Sequence, residues 1–215
     1  EDSINILHDI FNGEFIKEKV SRADLCCHTD NINLTLDDLS NFRGTFKKNE
    51  FFLTNRKLSG ITFGTFTEKN FMCRIYNKSL EIKTSGKSWF NEIWENKGMD
   101  IDKVWNVEFQ VGRGFFKEHN IETVMDFALK ARSIWEKLTS DFVCYINQDD
   151  SNISRCSIRP EWLALQSAYI NYVKQDIIKR DKQMRCSADE LLPLLTGVLI
   201  SYGACKFNYS LDDVV

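Results

Sequence analysis

Proline is nearly missing from this chain, two in 215 residues, and glycine is modest at ten. That scarcity excludes collagen-like and proline-rich low-complexity classes, and no Gly/Ser/Pro linker or internal repeat divides the sequence. His8, His28 and His119 stand apart from one another, and the seven cysteines contain no CxxC pair. Neither a zinc site nor a paired-histidine metal centre is expected from such spacing. An odd number of cysteines closes no complete disulfide set. Cys26 and Cys27 are adjacent, whereas Cys73, Cys144, Cys156, Cys186 and Cys205 are scattered among apolar neighbours. They read as small buried hydrophobes in the reducing compartment of an intracellular protein. No apolar run reaches the roughly 18 residues a membrane span needs. The longest, Leu191 to Ile200, is broken by Pro193, Thr196 and Gly197. The N-terminal segment has no signal-peptide character, and its first residue is Glu rather than Met, so an excised domain is expected.

What is present is an ordinary folded composition, 43% hydrophobic and 27% charged, which excludes disorder. Lys plus Arg number 28 against 31 Asp plus Glu, a net charge of −3 that taken alone speaks against nucleic acid. The average conceals a division. Between Arg43 and Trp89 there are ten basic residues against Glu50, Glu68 and Glu81, a segment charge of +7, which leaves −10 elsewhere.

Apolar periodicity predicts a helix over Ser3 to Phe15 and a strand over Ser21 to His28, with Ala23, Leu25 and Cys27 on one face and Arg22, Asp24 and Cys26 on the other. Thr35 followed by an acid three residues on predicts a helix start, with a stop at Gly44. FFLTNRK, LSGITFGTF and FMCRIYNK are β-rich, and the polar tip TEKN joins the last two as a hairpin. Met72, Arg74, Tyr76 and Lys78 then share one face, and Cys73 and Ile75 the other. A helix is predicted around Ser88 to Glu95, closed by Gly98. Val104 to Gly112 alternates again, with Asn106, Glu108 and Gln110 opposite Val107, Phe109 and Val111. The second half reads as helical: Ile121 to Leu138, a helix opened by Pro160 that runs to Tyr172, and a last one capped by Ser187. Phe142 to Asn147 reads as a further strand. The expected fold is α+β, an antiparallel β-sheet with helices packed on one face and a helical C-terminal part. Residues 1–150 would form the functional domain and 151–215 a helical segment.

Polar strand faces commonly do no more than meet water. The mixture here is richer, because carboxylates, cations and a tyrosine together suit phosphoryl chemistry. The residues that carry it, RIYNKSLEI (Arg74 to Ile82), the glycines of GITFG, RAD at Arg22 to Asp24 and WNVEFQV at Trp105 to Val111, resemble the Rep_trans family. ARSIWEKLTSDFV downstream has the same character, so the resemblance spans Val20 to about Tyr145. The family comprises rolling-circle plasmid replication initiators and related relaxases of conjugative elements in Gram-positive bacteria.

The resemblance implies a bacterial, cytoplasmic DNA strand transferase. A tyrosine attacks a phosphodiester, becomes joined to the 5′ phosphate and leaves a free 3′ hydroxyl, with Mg²⁺ or Mn²⁺ held by acids. It also implies an origin of replication or transfer as the DNA partner, a host superfamily 1 helicase and dimerisation. Carried onto this sequence, Tyr76 is the nucleophile and Arg74 the group that neutralises phosphate. Asp24, Glu81 and Glu108 are the metal ligands, Glu81 only if the chain turns helical after Lys78. His28 and Asn77 stand where relatives often have acids. Tyr145, Tyr169, Tyr172, Tyr202 and Tyr209 lie outside the motifs and read as packing residues.

For DNA contact the candidates are Arg22, Lys47, Lys48, Arg56, Lys57, Lys69, Lys78 and Lys83. Most belong to the basic segment, where aromatics that could stack unpaired bases interleave them. A competing reading is a non-catalytic DNA-binding initiator or accessory protein on the same fold. A generic interaction module would show no salt-dependent DNA affinity.

Overall fold

The computed structural model describes residues 19–169, 196–198 and 201–202. Residues 19–169 lie in a unit that runs to Arg180, and the remaining described residues, all helical, lie in a second that starts at Asp181. The helices expected at Ser3 to Phe15 and after Ser187, and the continuation to Tyr172, lie outside the described residues.

The first unit is built on a five-stranded antiparallel sheet. Its strands are β1 (Arg22–Thr29), β3 (Asn49–Thr54), β4 (Lys57–Phe63), β5 (Phe71–Asn77) and β6 (Trp105–Gly112), in the order β1-β6-β5-β4-β3. A second, two-stranded sheet pairs β2 (Phe42–Arg43) with β7 (Cys144–Tyr145). The period-2 pattern sorts as expected. Leu25, Ile61, Phe63, Cys73, Ile75, Val107, Phe109 and Val111 are all buried in one core. Helices α4 (Arg113–Glu118), α5 (Val124–Lys137) and α6 (Pro160–Gln166) add further residues to that core, among them Phe116, Trp135 and Trp162. Trp135 meets Phe109 edge to face at 5.4 Å, and its indole N–H donates to the Leu165 carbonyl at 3.0 Å. Truncation of such a buried tryptophan to alanine costs about 3–5 kcal/mol.

Several boundaries differ from those predicted. The turn at Leu36–Asn41 is a 3-10 helix that ends before Gly44, because Phe42 is drawn into the pairing with Tyr145. The helix read from Ile121 begins at Val124. There Thr123 caps it, accepting from the Asp126 N–H at 3.0 Å while its own N–H donates to the Asp126 carboxylate at 2.9 Å. Helix α4 escaped the pattern reading because Gly112 and Gly114 flank its start. A Cβ on Gly114 would lie 2.3 Å from the Asn70 side chain, so packing rather than helix propensity dictates that glycine. The polar link between β4 and β5 is one helical turn, α1 (Phe66–Lys69). A tight hairpin joins β3 to β4, with Asn55 and Arg56 at φ 51° and 64° as a primed turn demands.

The most consequential difference is at Lys78. Strand β5 stops at Asn77, whose side-chain oxygen accepts from the Leu80 N–H at 2.8 Å and so caps α2 (Lys78–Ser85). Lys78 therefore opens a helix and does not continue the strand. Helix α3 (Trp89–Glu95) follows, and Ile82, Trp94 and Val104 form a small second core.

Candidate functional site

Strand register lays the polar face out in rows. Phe52, Gly60, Tyr76, Asn106 and His28 are paired in succession across all five strands. The adjacent row on the same face is Glu50, Thr62, Arg74, Glu108 and Cys26, and a third holds Met72, Gln110 and Asp24. Tyr76 thus sits diagonally beside Glu108, although 32 residues separate them. Its hydroxyl donates to Glu108 Oε2 at 3.3 Å and accepts from Asn106 Nδ2 at 2.9 Å. Asn106 Nδ2 also reaches Glu108 Oε2, at 3.1 Å. Arg74 Nη2 pairs with Glu108 Oε1. The Glu108 side chain is only 12% exposed and Asn106 only 2%, so these contacts form in a partly desolvated place where they are stronger than in water.

Lys78 reaches the same group from the start of α2. It is buried, with Nζ 2.5 Å from Glu81 Oε2, 5.5 Å from the centre of the Tyr76 ring and 5.0 Å from that of Phe90. Burial alone would lower its pKa, but Glu81 and Tyr76 together outweigh that and hold the ammonium charged. Glu81 is drawn below the usual carboxylate range. Burial works the other way and is overcome by Lys78, Ser85 and Lys87. The Tyr76 hydroxyl is pushed above its ordinary value, first by burial, and Asn106 and Lys78 only partly oppose that. At neutral pH it is a phenol and a hydrogen-bond donor.

Among the described residues, the buried side-chain polar atoms without a hydrogen-bond partner are Arg74 Nε, Asn106 Oδ1 and Glu81 Oε2, the last still in ion-pair contact with Lys78. All three belong to this one group of side chains. Native proteins rarely leave buried polar atoms unpartnered without a reason, and a binding site supplies one.

The other predicted residues distribute as follows. The chain does turn helical at Lys78, which brings Glu81 beside Tyr76. Asp24 lies on the edge strand, where Arg22 grips it through two bonds of 3.0 and 2.7 Å. Each of Asp24, Glu81 and Glu108 is thus taken up by its own cation. Among the described residues no three His, Cys, Asp or Glu side chains converge as a hard divalent ion requires. In this arrangement the acids do not fit a metal cage. Lys83 is exposed on α2 and pairs with Asp102 at 3.1 Å. The basic segment splits between the two ends of the sheet: Arg56 and Lys57 flank the β3–β4 turn near the Tyr76 row, while Lys47, Lys48 and Lys69 lie at the opposite end. His28 is tied into the fold, with its Nδ1 accepting from the Trp94 indole at 3.1 Å, and burial lowers its pKa. Asn106 was legible as a polar-face residue without a role, Phe52 as one of several aromatics in the basic segment and Gly60 as one of the GITFG glycines, with nothing in the sequence to place either beside Tyr76.

No family model matches the sequence, and no curated protein matches it. Among solved structures the chain is similar to that of the rolling-circle replication initiator protein from Geobacillus stearothermophilus. The two are 17% identical with a TM-score of 0.47, over 69% of this chain and 55% of that one. The chain therefore spans about half the length of that protein. No helix among the described residues is long and apolar enough to cross a membrane.

Proposed function

We propose that this chain nicks one strand of DNA at an origin of replication or transfer, with Tyr76 as the attacking group. The observation that carries the reading is the Tyr76 hydroxyl seated between Glu108 and Asn106, with Arg74 and Lys78 beside it. Because burial disfavours a free phenolate, attack needs a base that removes the proton as the bond to phosphorus forms. Glu108 Oε2 already accepts that hydrogen bond. The Tyr76 oxygen bonds to phosphorus, the bond from phosphorus to the 3′ oxygen breaks, and that oxygen takes a proton from water, while Glu108 returns the tyrosine proton to solvent. The products are a 5′-phosphotyrosyl link and a free 3′ hydroxyl. Arg74, released in part from Glu108 as the carboxylate takes the proton, and Lys78 neutralise charge on the phosphate oxygens. The Mg²⁺ or Mn²⁺ that the resemblance implies at Asp24, Glu81 and Glu108 has no part in the proposed step, because each of these acids is already paired with a cation of this chain. The helicase and the dimer the resemblance implies have no surface assigned to them.

The test is to incubate the protein with supercoiled plasmid carrying the origin of its own genetic element, with Mg²⁺, Mn²⁺ or EDTA. The expected result is nicked plasmid and a detergent-resistant protein–DNA adduct for wild type, and neither for Tyr76→Phe. Salt-dependent binding with no adduct under any ion would replace this reading with that of a non-catalytic DNA-binding initiator.

A further inference from the structure

The row that holds Tyr76 contains a gap. Gly60 lies between Phe52 and Tyr76, paired to each, so the two aromatic residues stand two strand spacings apart, about 10 Å. The φ of Gly60 lies outside the left-handed region, so backbone conformation does not call for glycine. Space does. A Cβ there would lie 3.3 Å from Tyr76 Cβ and 3.7 Å from Phe52 Cδ2, and any longer side chain would fill the gap. Phe52 is on the sheet's edge strand and is 52% exposed, as are its neighbours Phe51 and Leu53 at 53% and 49%, and of the three it is Phe52 that lies in the Tyr76 row. The cleft above Gly60 has a volume of about 380 Å³, within the range of small-ligand sites, and Phe52, Tyr76, Arg74, Lys78 and Lys87 line it together with Glu81.

We propose that this cleft is a subsite for one unpaired nucleotide of single-stranded DNA, its base stacked on Phe52 and its phosphate directed toward Arg74, Lys78 and Lys87. The assignment deepens the reading of Tyr76 as a DNA nucleophile and rests on it for the identity of the strand. Three cations against Glu81 on the lining and Glu108 paired with Arg74 leave one positive charge, and with Arg56 and Lys57 exposed at the same end of the sheet this favours a polyanion. A flat exposed ring one gap away from the attacking hydroxyl favours a base whose face is free. In a duplex both faces are covered by neighbouring bases. Phe52 is then a positioning residue, holding the strand so that a neighbouring phosphate meets Tyr76.

The experiment measures binding of fluorescently labelled single-stranded dT12, the same strand made wholly abasic, and a dA12·dT12 duplex, by anisotropy. Loss of the Phe52 ring in Phe52→Ala is expected to weaken dT12 binding about tenfold or more, with little change for the abasic strand. Phe52→Trp is expected to restore the affinity, and circular dichroism checks that both variants fold. The proposal is overturned if Phe52→Ala binds dT12 as wild type does, or loses the abasic strand equally. A concentration-dependent dimer lost in Phe52→Ala, with DNA binding intact, would overturn it in favour of a second copy of this chain at the edge strand. Adduct formation by wild type is scored separately. An adduct without a Phe52 effect sinks the subsite alone, whereas a Phe52 effect without an adduct sinks the nicking reaction alone.

Discussion

Two tyrosines in this molecule each donate to a carboxylate that an arginine also holds, and their surroundings separate them. Tyr145 donates to Asp38 at 2.5 Å, and the Arg159 guanidinium lies 4.3 Å over its ring and 3.6 Å from the same carboxylate. Asp38 also accepts from the Thr35 N–H and hydroxyl, both at 2.9 Å, and from Asn41 at 3.2 Å. The Tyr145 ring stacks on Phe42 at 4.7 Å and is 2% exposed. That constellation is closed: it ties β7 to a 3-10 turn 107 residues away. The Tyr76 constellation is half open, carries an extra lysine, and contains the buried atoms left without hydrogen bonds. A tyrosine, an acid and an arginine in contact are therefore not enough to mark a reactive site. Access and unsatisfied polar atoms distinguish one from a structural lock.

The largest expected effect comes from removing each hydroxyl in turn. Tyr76→Phe should lower adduct formation to background, at least 100-fold, and change unfolding free energy by less than about 1 kcal/mol, because Asn106 still donates to Glu108. Tyr145→Phe should leave the adduct intact and destabilise the fold by about 1.5–3 kcal/mol, the range for a hydrogen bond to a charged group. Gel assays and urea unfolding read the two. If Tyr145→Phe lost the adduct while the fold held, the distinction between lock and site would fail.

Next is the base. Glu108→Gln keeps the shape and a hydrogen-bond acceptor but cannot take up a proton at neutral pH. Adduct formation should fall about 10²- to 10⁴-fold. A merely positional role for Glu108 would leave the Glu108→Gln rate within about tenfold of wild type, because glutamine keeps the acceptor oxygen.

Which face each strand residue occupies was legible in the sequence, because one side of this antiparallel sheet is buried and a period of two cannot slip without exposing the core. Which residues meet across strands was not. The pairings Arg74 with Glu108 and Tyr76 with Asn106 depend on a register set by tertiary packing. Lys78 joined the site for a reason the strand pattern missed, the cap made by Asn77. Phe52 was one of several aromatics in the basic segment, and only the pairing of its strand at one edge of the sheet shows that it is exposed in the Tyr76 row. The +7 segment was a true count but not one surface, since the β3–β4 turn that carries Arg56 lies at the end of the sheet opposite to Lys47 and Lys48.

The smallest effect is a slope. Asp38 sits below the usual carboxylate range: burial would raise it, but hydrogen bonds from Tyr145, Thr35 and Asn41 outweigh burial. A carboxyl whose folded pKa is depressed binds its proton more weakly folded than unfolded. Its stabilising contribution is complete above the unfolded value, near pH 4, and is lost as pH falls through that value toward the folded one. Urea unfolding of wild type should therefore show stability falling below about pH 5. In Asp38→Asn that decline should be shallower, not absent, because Glu81 and Asp126 are depressed in the same direction. Adduct formation, measured where the variant is folded, should not change. If the acid slope were unaltered by Asp38→Asn, the closed constellation would not be the lock that distinguishes Tyr145 from Tyr76.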